Sequence, residues 1–438
     1  MDRKISRKMI YIGFPVMLQM LVQNIFSFTD MAFVGNYKIE GLSALTNAIA
    51  PYFISLSFYW SISQGLTIII SNSIGANNKK KAEKYGENAL FFNQILSFIY
   101  LLFWLIGGKF ILSLMGITGE ILRLGSTYLG ILSFSFLTFG LGITSGAIIQ
   151  GLGRTLPVFI VILIKTIFNI FLNWILIFGK FGFPELGIAG SALGSTISNI
   201  VGDISLFFIL LSQKDFKINI KKIFKPNIVL FKDMLLLGLP MGIEGILWQS
   251  GQAGLLFILN RINQMYSGYA GVISNIINIS LAFYWGAAIS VLIMVSEYRG
   301  RKEKENIKKV NKYGLIYSMI ICIIFSIFIL TFPDKLFRIF ITEKEKIGSL
   351  IHLVPYMILI MFPKAMNVIN GQSIKGLGDT KWAMNTQIFG TAYILLLGYI
   401  FIFVLKLGIV GGLLAVALDE ITRGVFNFYR FHIKEART

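Results

Sequence analysis

The chain contains two copies of one hydrophobic sequence, the second shifted by 225 positions relative to the first. The matched positions are mainly glycines, prolines and aromatic residues, and they pair as Gly13 with Gly238, Pro15 with Pro240, Tyr59 with Tyr284, Trp60 with Trp285, Gly151 with Gly376 and Gly153 with Gly378. A last match, of residues 186–188 with 407–409, needs a shift of 221, so a loop of the second copy is shorter. Membrane proteins built from two such copies commonly bind small molecules between them, near the middle of the bilayer. The repeat therefore predicts two similar lobes with a site between them.

Composition excludes a soluble domain of this length. Hydrophobic residues make up 55% of the 438 residues and charged residues only 14%, whereas soluble domains have about 25% charged residues. Long, mainly apolar runs such as 91–110 and 315–332 approach the roughly 20 residues that cross a bilayer as a helix. Because unpaired backbone groups are too costly in lipid, such runs fold as helices. We therefore predict an all-α polytopic membrane protein.

Hydrophobic segments are separated by polar residues, glycine or proline, and they divide into twelve. They lie at 9–34, 46–73, 89–115, 121–150, 157–180, 187–212, 233–261, 267–297, 313–333, 349–375, 382–405 and 407–430. We therefore expect twelve transmembrane helices in two six-helix lobes, at 1–212 and 233–438, joined by a polar cytoplasmic linker at 213–232. Because each repeat has an even number of helices, both copies insert in the same direction, which predicts a pseudo-twofold axis along the membrane normal.

Lysine and arginine residues are concentrated in every second loop, on one side of the predicted helices. The N-terminus, every second loop and the C-terminal tail carry 27 of the 40 basic residues. The positive-inside rule then places both termini in the cytoplasm. We expect a multi-pass monomer in the lipid bilayer of the plasma (cytoplasmic) membrane. In a cell with two membranes this is the cell inner membrane. The same rule accounts for the net charge of +19, so we expect no nucleic-acid partner.

Residues for catalysis or tight metal binding are not grouped in the sequence. The one cysteine, Cys322, lies in an apolar run, and His352 and His432 are far apart. A zinc enzyme or an intramembrane protease would need several His, Cys, Asp or Ser side chains in one cluster. A channel would need a continuous stripe of polar residues along its helices, which the few isolated charges of this sequence do not supply. We expect neither an enzyme nor a bound cofactor.

Ionisable side chains inside the predicted helices are costly in lipid and mark candidate functional sites. Asp30 lies near the outer end of the first helix, with no basic residue at helical spacing. Asn169 and Asn173 form an i, i+4 pair on the fifth helix, and Ser191 on the sixth reaches a similar depth. Asp30, Asn169 and Asn173 could bind a sodium ion through hard oxygen ligands, or the desolvated carboxylate could hold a proton. The alternative is a local structural hydrogen bond at Asp30.

The second lobe does not duplicate this site, because Asp30 corresponds to Leu255 in the repeat. It has instead Glu244 and Lys364, at similar counted depths in its first and fourth helices. We expect these two to form an ion pair, either static or rearranged when the protein changes conformation. Two further ion pairs are expected. One joins Lys165 to Asp203, and the other joins Glu420, the neighbour of Asp419, to Arg423.

Several motifs resemble those of the multidrug and toxic compound extrusion (MATE) family. They are Gly13-Phe-Pro15 followed by Phe28-Thr-Asp30-Met-Ala-Phe-Val-Gly35, the turns Gln150-Gly-Leu-Gly-Arg-Thr155 and Lys375-Gly-Leu-Gly-Asp-Thr380, and Leu186-Gly-Ile-Ala-Gly-Ser-Ala-Leu-Gly194. The resemblance implies a twelve-helix antiporter that exports amphipathic, often cationic compounds in exchange for protons or sodium ions by alternating access. It also implies that Asp30 is the coupling carboxylate, whereas Asn173 stands where an aspartate is common.

Aromatic residues are expected to face the cleft between the lobes of such a fold. Tyr59, Trp248 and Tyr284 are candidates, because aromatic rings attract lipophilic cations. The alternative function is that of a lipid-linked oligosaccharide flippase of the same superfamily, which would need a cationic central cavity. Twelve helices and the acidic Asp30 favour the export of cations.

Overall fold

The computed structural model describes residues 2–340 and 344–436, and every regular element within these residues is helical. The α-helices are α1 Arg3–Tyr37, α2 Ile39–Gly75, α3 Lys79–Leu114, α4 Gly119–Ser133, α5 Phe136–Gly151, α6 Thr155–Phe178, α7 Ile188–Leu211, α8 Ile220–Ile223, α9 Ile228–Asn260, α10 Gln264–Arg301, α11 Lys304–Thr331, α12 Pro333–Arg338, α13 Lys344–Ile351, α14 Val354–Gly376, α15 Thr380–Tyr399 and α16 Gly408–Ala436. A 3-10 turn, Lys180–Gly182, follows α6, and a π-helical turn, Ile400–Val404, extends α15.

Each of the twelve predicted segments coincides with one long helix or with a pair of helices. In the described part of the chain, eight helices are long and apolar enough to cross a membrane, and α4 with α5, bent by 57° between them, makes a ninth. The other three predicted segments correspond to α9, α14 and α16, which carry charged side chains along their lengths, Glu244 in α9, Lys364 in α14 and Asp419, Glu420 and Arg423 in α16. The prediction of an all-α polytopic membrane protein is confirmed.

The chain divides into two compact units, of which the first, the N-unit, comprises Leu18–Gly238. One apolar cluster of this unit joins α2, α3 and α4, and another joins α3, α5 and α6. The segment between α7 and α9 packs on α3, because Lys217 N donates to Glu83 at 2.9 Å and Asn219 N donates to Glu87 at 3.0 Å. The segment predicted as a linker is therefore an ordered part of the N-unit.

The second unit, the C-unit, comprises the described residues of 1–17 and of 239–438. The first half of α1 belongs to it, because Met9 and its apolar neighbours are buried in one cluster with α10 and α11. Gly13 permits this close packing, since a Cβ there would lie only 2.8 Å from the carbonyl oxygen of Gly286. The boundaries of both units thus fall inside α1 and α9, whereas the sequence predicted one boundary, at the linker 213–232.

Both units show the repeat in their hydrogen bonds. The Ser71 hydroxyl donates to the Gly151 carbonyl oxygen at 2.8 Å, and at the positions 225 later Ser296 donates to Gly376 at 3.1 Å. A second glycine, two residues further on, has a φ of 76° in the N-unit and 77° in the C-unit. Glycine adopts this left-handed conformation without the cost that a Cβ would bring. The recurrence of both glycines in the turn motif therefore has a structural cause.

Candidate ion-coupling site

Asp30, near the C-terminal end of α1, accepts hydrogen bonds from two other helices of the N-unit. Its carboxylate accepts from the amide of Asn173 on α6 and from the hydroxyl of Ser195 on α7, the latter at 3.5 Å. The Asn173 amide also donates to Asn169 Oδ1 at 3.1 Å, and the Asn169 amide donates to Ser195 at 3.1 Å. The four side chains thus form a closed ring. From the Asn173 amide, one hydrogen bond leads directly to the carboxylate, and a second path reaches it through Asn169 and Ser195.

The ring is buried and its members other than Asp30 are neutral. Each of the four side chains is at most 3% exposed, and the hydrogen-bond partners of Asp30 are an amide and a hydroxyl. A buried carboxylate without a basic partner is costly in a bilayer unless a proton or a cation joins it. Asn173 Oδ1 is also buried and accepts no hydrogen bond within the protein. The ring therefore offers one further oxygen to a protonated carboxyl or to a small cation.

Glycines on α7 bring α6 close enough to form the ring. A Cβ at Gly190 would overlap with the carbonyl oxygen of Leu176, and a Cβ at Gly194 would overlap with Asn173 Oδ1. Two small residues spaced by four on one helix are a common way for membrane helices to approach closely. The side chain of Asn173 therefore occupies space that only a glycine at position 194 leaves open.

Three of the four residues predicted for this site are linked in the ring, and the fourth is replaced. Asp30, Asn169 and Asn173 are members, whereas the Ser191 hydroxyl is buried without a hydrogen-bond partner. Ser195 takes the expected place of Ser191. The prediction counted depth along straight helices and missed by one helical turn, which is about 5.4 Å. Ser195 carries the same sequence signal, because it lies four residues later on the same face of α7.

The predicted ion pair between Glu244 and Lys364 is not formed in the C-unit. Glu244 on α9 pairs instead with Lys375, near the end of α14, at 2.8 Å. Lys364, in the middle of α14, donates to Asn278 of α10 at 3.4 Å and lies 5.6 Å from the ring centroid of Trp248. Equal counted depth does not bring two side chains together when helices tilt, and a lysine near a helix end extends far along an apolar surface. The sequence marked Lys375 only as the first residue of a turn motif and did not indicate that it pairs with Glu244.

Buried charges of α16 form a connected network in the C-unit. Arg423 binds Asp419 through two hydrogen bonds of 2.9 and 2.6 Å and lies 3.5 Å from Glu420. Glu420 also accepts from the amide of Asn367 at 2.7 Å, and Gln387 accepts from Arg423 at 2.7 Å. The predicted contact of Glu420 with Arg423 is present, but Asp419 is the nearer partner. Such a fully hydrogen-bonded network fixes the packing of its helices.

The predicted pair of Lys165 with Asp203 is replaced by neutral contacts in the N-unit. Lys165 donates to Asn199 at 2.9 Å, and Asp203 accepts from the hydroxyl of Thr138 at 3.2 Å. A Cβ at Gly142 would overlap with the Asp203 carboxylate. Asp203 is thus packed tightly against α5, which supports a structural role.

In each unit a basic side chain crosses a glycine of the neighbouring helix. A Cβ at Gly202 would lie 2.7 Å from Lys165 Cδ, and a Cβ at Gly390 would lie 2.5 Å from Arg423 Cδ. The repeat aligns Lys165 with Gly390, and Gly202 with Arg423. The glycine and the basic residue have therefore exchanged helices between the two copies. This exchange keeps one long side chain at each contact while it changes the position of the charge.

Two copies of one family model, MatE, match the chain at 15–175 and 240–400, a shift of the same 225 positions as the repeat. The chain belongs to the MatE family. The probable multidrug resistance protein NorM of Thermotoga maritima is 26% identical over 433 residues, which are 98% of this chain and 92% of that protein. The probable multidrug resistance protein YoeA of Bacillus subtilis is 25% identical over 381 residues, 86% of this chain and 82% of its own length. A MOP superfamily transporter from Pyrococcus furiosus, 18% identical, superposes with a TM-score of 0.90 over 99% of this chain and 96% of its own.

In this MatE protein, two of the three aromatic residues predicted for a substrate cleft are buried inside their own units. Tyr59 and Tyr284 are both 0% exposed, and the Tyr59 hydroxyl donates to the carbonyl oxygen of Asn93. Trp248 is partly exposed, and so is Trp60, the neighbour of Tyr59 on α2. The structure thus contradicts a cleft position for Tyr59 and Tyr284. Aromatic residues cover several faces of these helices, so the sequence could not show which face packs inward.

Proposed function

We propose that this MatE protein exports amphipathic, often cationic organic compounds by alternating access, in exchange for protons or sodium ions that bind at Asp30. The observation that carries the proposal is the buried Asp30 carboxylate, surrounded only by neutral hydrogen-bond donors. Such a group can bind a small cation on one side of the membrane and release it on the other. The names of the Thermotoga maritima and Bacillus subtilis relatives support drug-like substrates.

Ion binding changes the hydrogen bonds that hold α1 to the neighbouring helices. The ionised Asp30 accepts from Asn173 on α6 and from Ser195 on α7. A protonated carboxyl is also a donor, and Asn173 Oδ1 is a free acceptor for it. A sodium ion would bind the carboxylate and the same amide oxygen. Either ion therefore alters the attachment of α1, which is the helix that continues from the C-unit into the N-unit.

We further infer that the protein works as a monomer in the cytoplasmic membrane, with both termini in the cytoplasm. The distribution of basic residues over alternate loops supports this orientation. Export is then movement from the side that bears both termini to the opposite side.

Drug uptake into proteoliposomes under an imposed pH or sodium gradient tests the proposal. Asp30→Asn keeps the size of the side chain and removes its charge, so we expect gradient-driven uptake to be lost. Asp203→Asn, which alters another buried carboxylate of the N-unit, is the matched control and should remain coupled. Equal driven uptake by Asp30→Asn and the wild type would contradict the coupling role. If neither gradient drives any amphipathic cation or zwitterion in the wild type, the lipid-linked oligosaccharide flippase is the better function.

A further inference from the structure

Lys364 is a buried basic residue with few partners for its charge. It is 9% exposed and lies near the middle of α14. Its amino group contacts Asn278 Oδ1 at 3.4 Å and the Trp248 ring at 5.6 Å. A lysine ammonium has three N–H donors, and the one hydrogen bond present is long. Because a buried charge is stable only when it is paired and hydrogen-bonded, Lys364 has unused capacity for a negatively charged group.

The acidic residues on the neighbouring helices of the C-unit have other partners. Glu244 pairs with Lys375 at 2.8 Å. Glu420 lies 3.5 Å from Arg423 and also accepts a hydrogen bond from a neighbouring amide. Among the residues that the structure describes, no carboxylate therefore lies within ion-pair distance of Lys364. Within the described part of the chain its charge is therefore unpaired, and an anion from outside the chain can neutralise it.

Polar residues are exposed on α9 and α10, the helices whose Trp248 and Asn278 contact Lys364, and they form a polar surface within membrane-spanning helices. The exposed polar residues are Ser274, Asn275 and Asn278 on α10, and Gln249 and Ser250 on α9. Polar side chains exposed within membrane-spanning helices need water as a hydrogen-bond partner, because lipid offers them no hydrogen bonds. Asn278 belongs to this surface and contacts Lys364 directly. A dissolved molecule can therefore reach the lysine from the polar side.

We propose that Lys364, together with Asn278 and Trp248, forms a subsite for an acidic group of the substrate. The preferred substrates are then aromatic amphiphiles that carry a carboxylate, zwitterions included, over purely cationic ones. This inference rests on the proposed export function and names its substrate class. Lys364 supplies the charge, the Asn278 amide a hydrogen-bond donor, and the partly exposed Trp248 an apolar ring. A purely cationic aromatic compound would be repelled by the ammonium that already lies against that ring.

Two probes that differ in their negative charge and by one methyl group test the subsite: a fluorescent aromatic amine with a carboxylate, and its methyl ester. Gradient-driven uptake of each is measured in phosphatidylcholine proteoliposomes. We expect the wild type to transport the acid about tenfold more efficiently than the ester, since a hydrogen bond to a charged group contributes about that factor or more. Lys364→Met should abolish the preference and Lys364→Arg should keep it. Lys165→Met, which removes a partly buried lysine of the N-unit, is the matched control and should keep it as well.

An unchanged acid-to-ester ratio in Lys364→Met overturns the subsite and leaves the export function standing. Absence of driven uptake of both probes by the wild type contradicts the export function, and binding of the two probes to the purified variants then decides the subsite separately. If Lys364→Met transports both probes poorly, binding of the two probes to the purified variant replaces the uptake measurement. Adding phosphatidylglycerol to the vesicles distinguishes substrate from lipid. A preference that persists supports the subsite, and a preference that disappears assigns Lys364 to a lipid headgroup and overturns it.

Discussion

Replacing Gly194 by alanine should open the Asp30 ring although Gly194 is not a member of it. The added Cβ would overlap with Asn173 Oδ1, so the Asn173 side chain must move. Asn173 is the origin of both hydrogen-bond paths that end on the carboxylate. The variant therefore removes the geometry of the site and keeps all of its chemical groups.

The size of the effect follows from the hydrogen bond that is lost. A hydrogen bond to a charged group contributes about 1.5–3 kcal/mol, which corresponds to roughly a ten- to hundredfold change in the population of the intact site. Alanine is a better helix former than glycine, so α7 itself should not be weakened. We expect gradient-driven drug uptake to fall at least about tenfold, while the protein remains folded.

The assay is the initial rate of driven uptake in proteoliposomes, with the thermal unfolding midpoint in detergent as the measure of folding. Gly146→Ala on α5 is the matched control, because its added Cβ would only make an ordinary contact of 3.7 Å with Leu206. We expect this control to transport like the wild type. Wild-type driven uptake by Gly194→Ala would refute the argument that the placement of Asn173 controls coupling.

Three further variants test the ion preference of the Asp30 ring and the charge network of α16. Asn173→Asp adds a second carboxylate beside Asp30. We expect drug uptake by this variant to depend on sodium at constant pH, because two carboxylates bind a hard cation better than one. Uptake that is independent of sodium would contradict this. Arg423→Gln leaves Asp419 without its cation. We expect the free energy of unfolding to fall by about 3–5 kcal/mol, which is measured as a lower unfolding midpoint. An unchanged midpoint would show that the network does not stabilise the fold. Gly390→Ala places a Cβ 2.5 Å from Arg423 Cδ and should lower the midpoint as well, whereas Gly146→Ala should not.

The helices could be predicted from the sequence because their signals are local. Apolar length and turn glycines repeat in both copies, and the hydrogen bonds of Ser71 with Gly151 and of Ser296 with Gly376 follow the same shift. The unit boundaries could not be predicted. They depend on which helix the first half of α1 packs against, and an apolar residue such as Met9 fits equally well against many neighbours.

The Asp30 site could be predicted in outline for a related reason. A carboxylate and two amides in apolar helices have few ways to satisfy their hydrogen bonds, so Asp30, Asn169 and Asn173 had to meet other polar groups. The sequence failed where the answer depends on tilt or on one helical turn. Ser195 takes the place of Ser191, and Lys375, not Lys364, is the partner of Glu244.

The most direct test of coupling at Asp30 is the ion movement that a substrate causes. Proteoliposomes are loaded with a pH-sensitive dye or with labelled sodium, and an amphipathic substrate is added outside in the absence of any imposed gradient. We predict that substrate entry drives the coupling ion outwards in the wild type and that Asp30→Asn abolishes this ion movement. Substrate-dependent ion movement of wild-type size in Asp30→Asn would contradict the account.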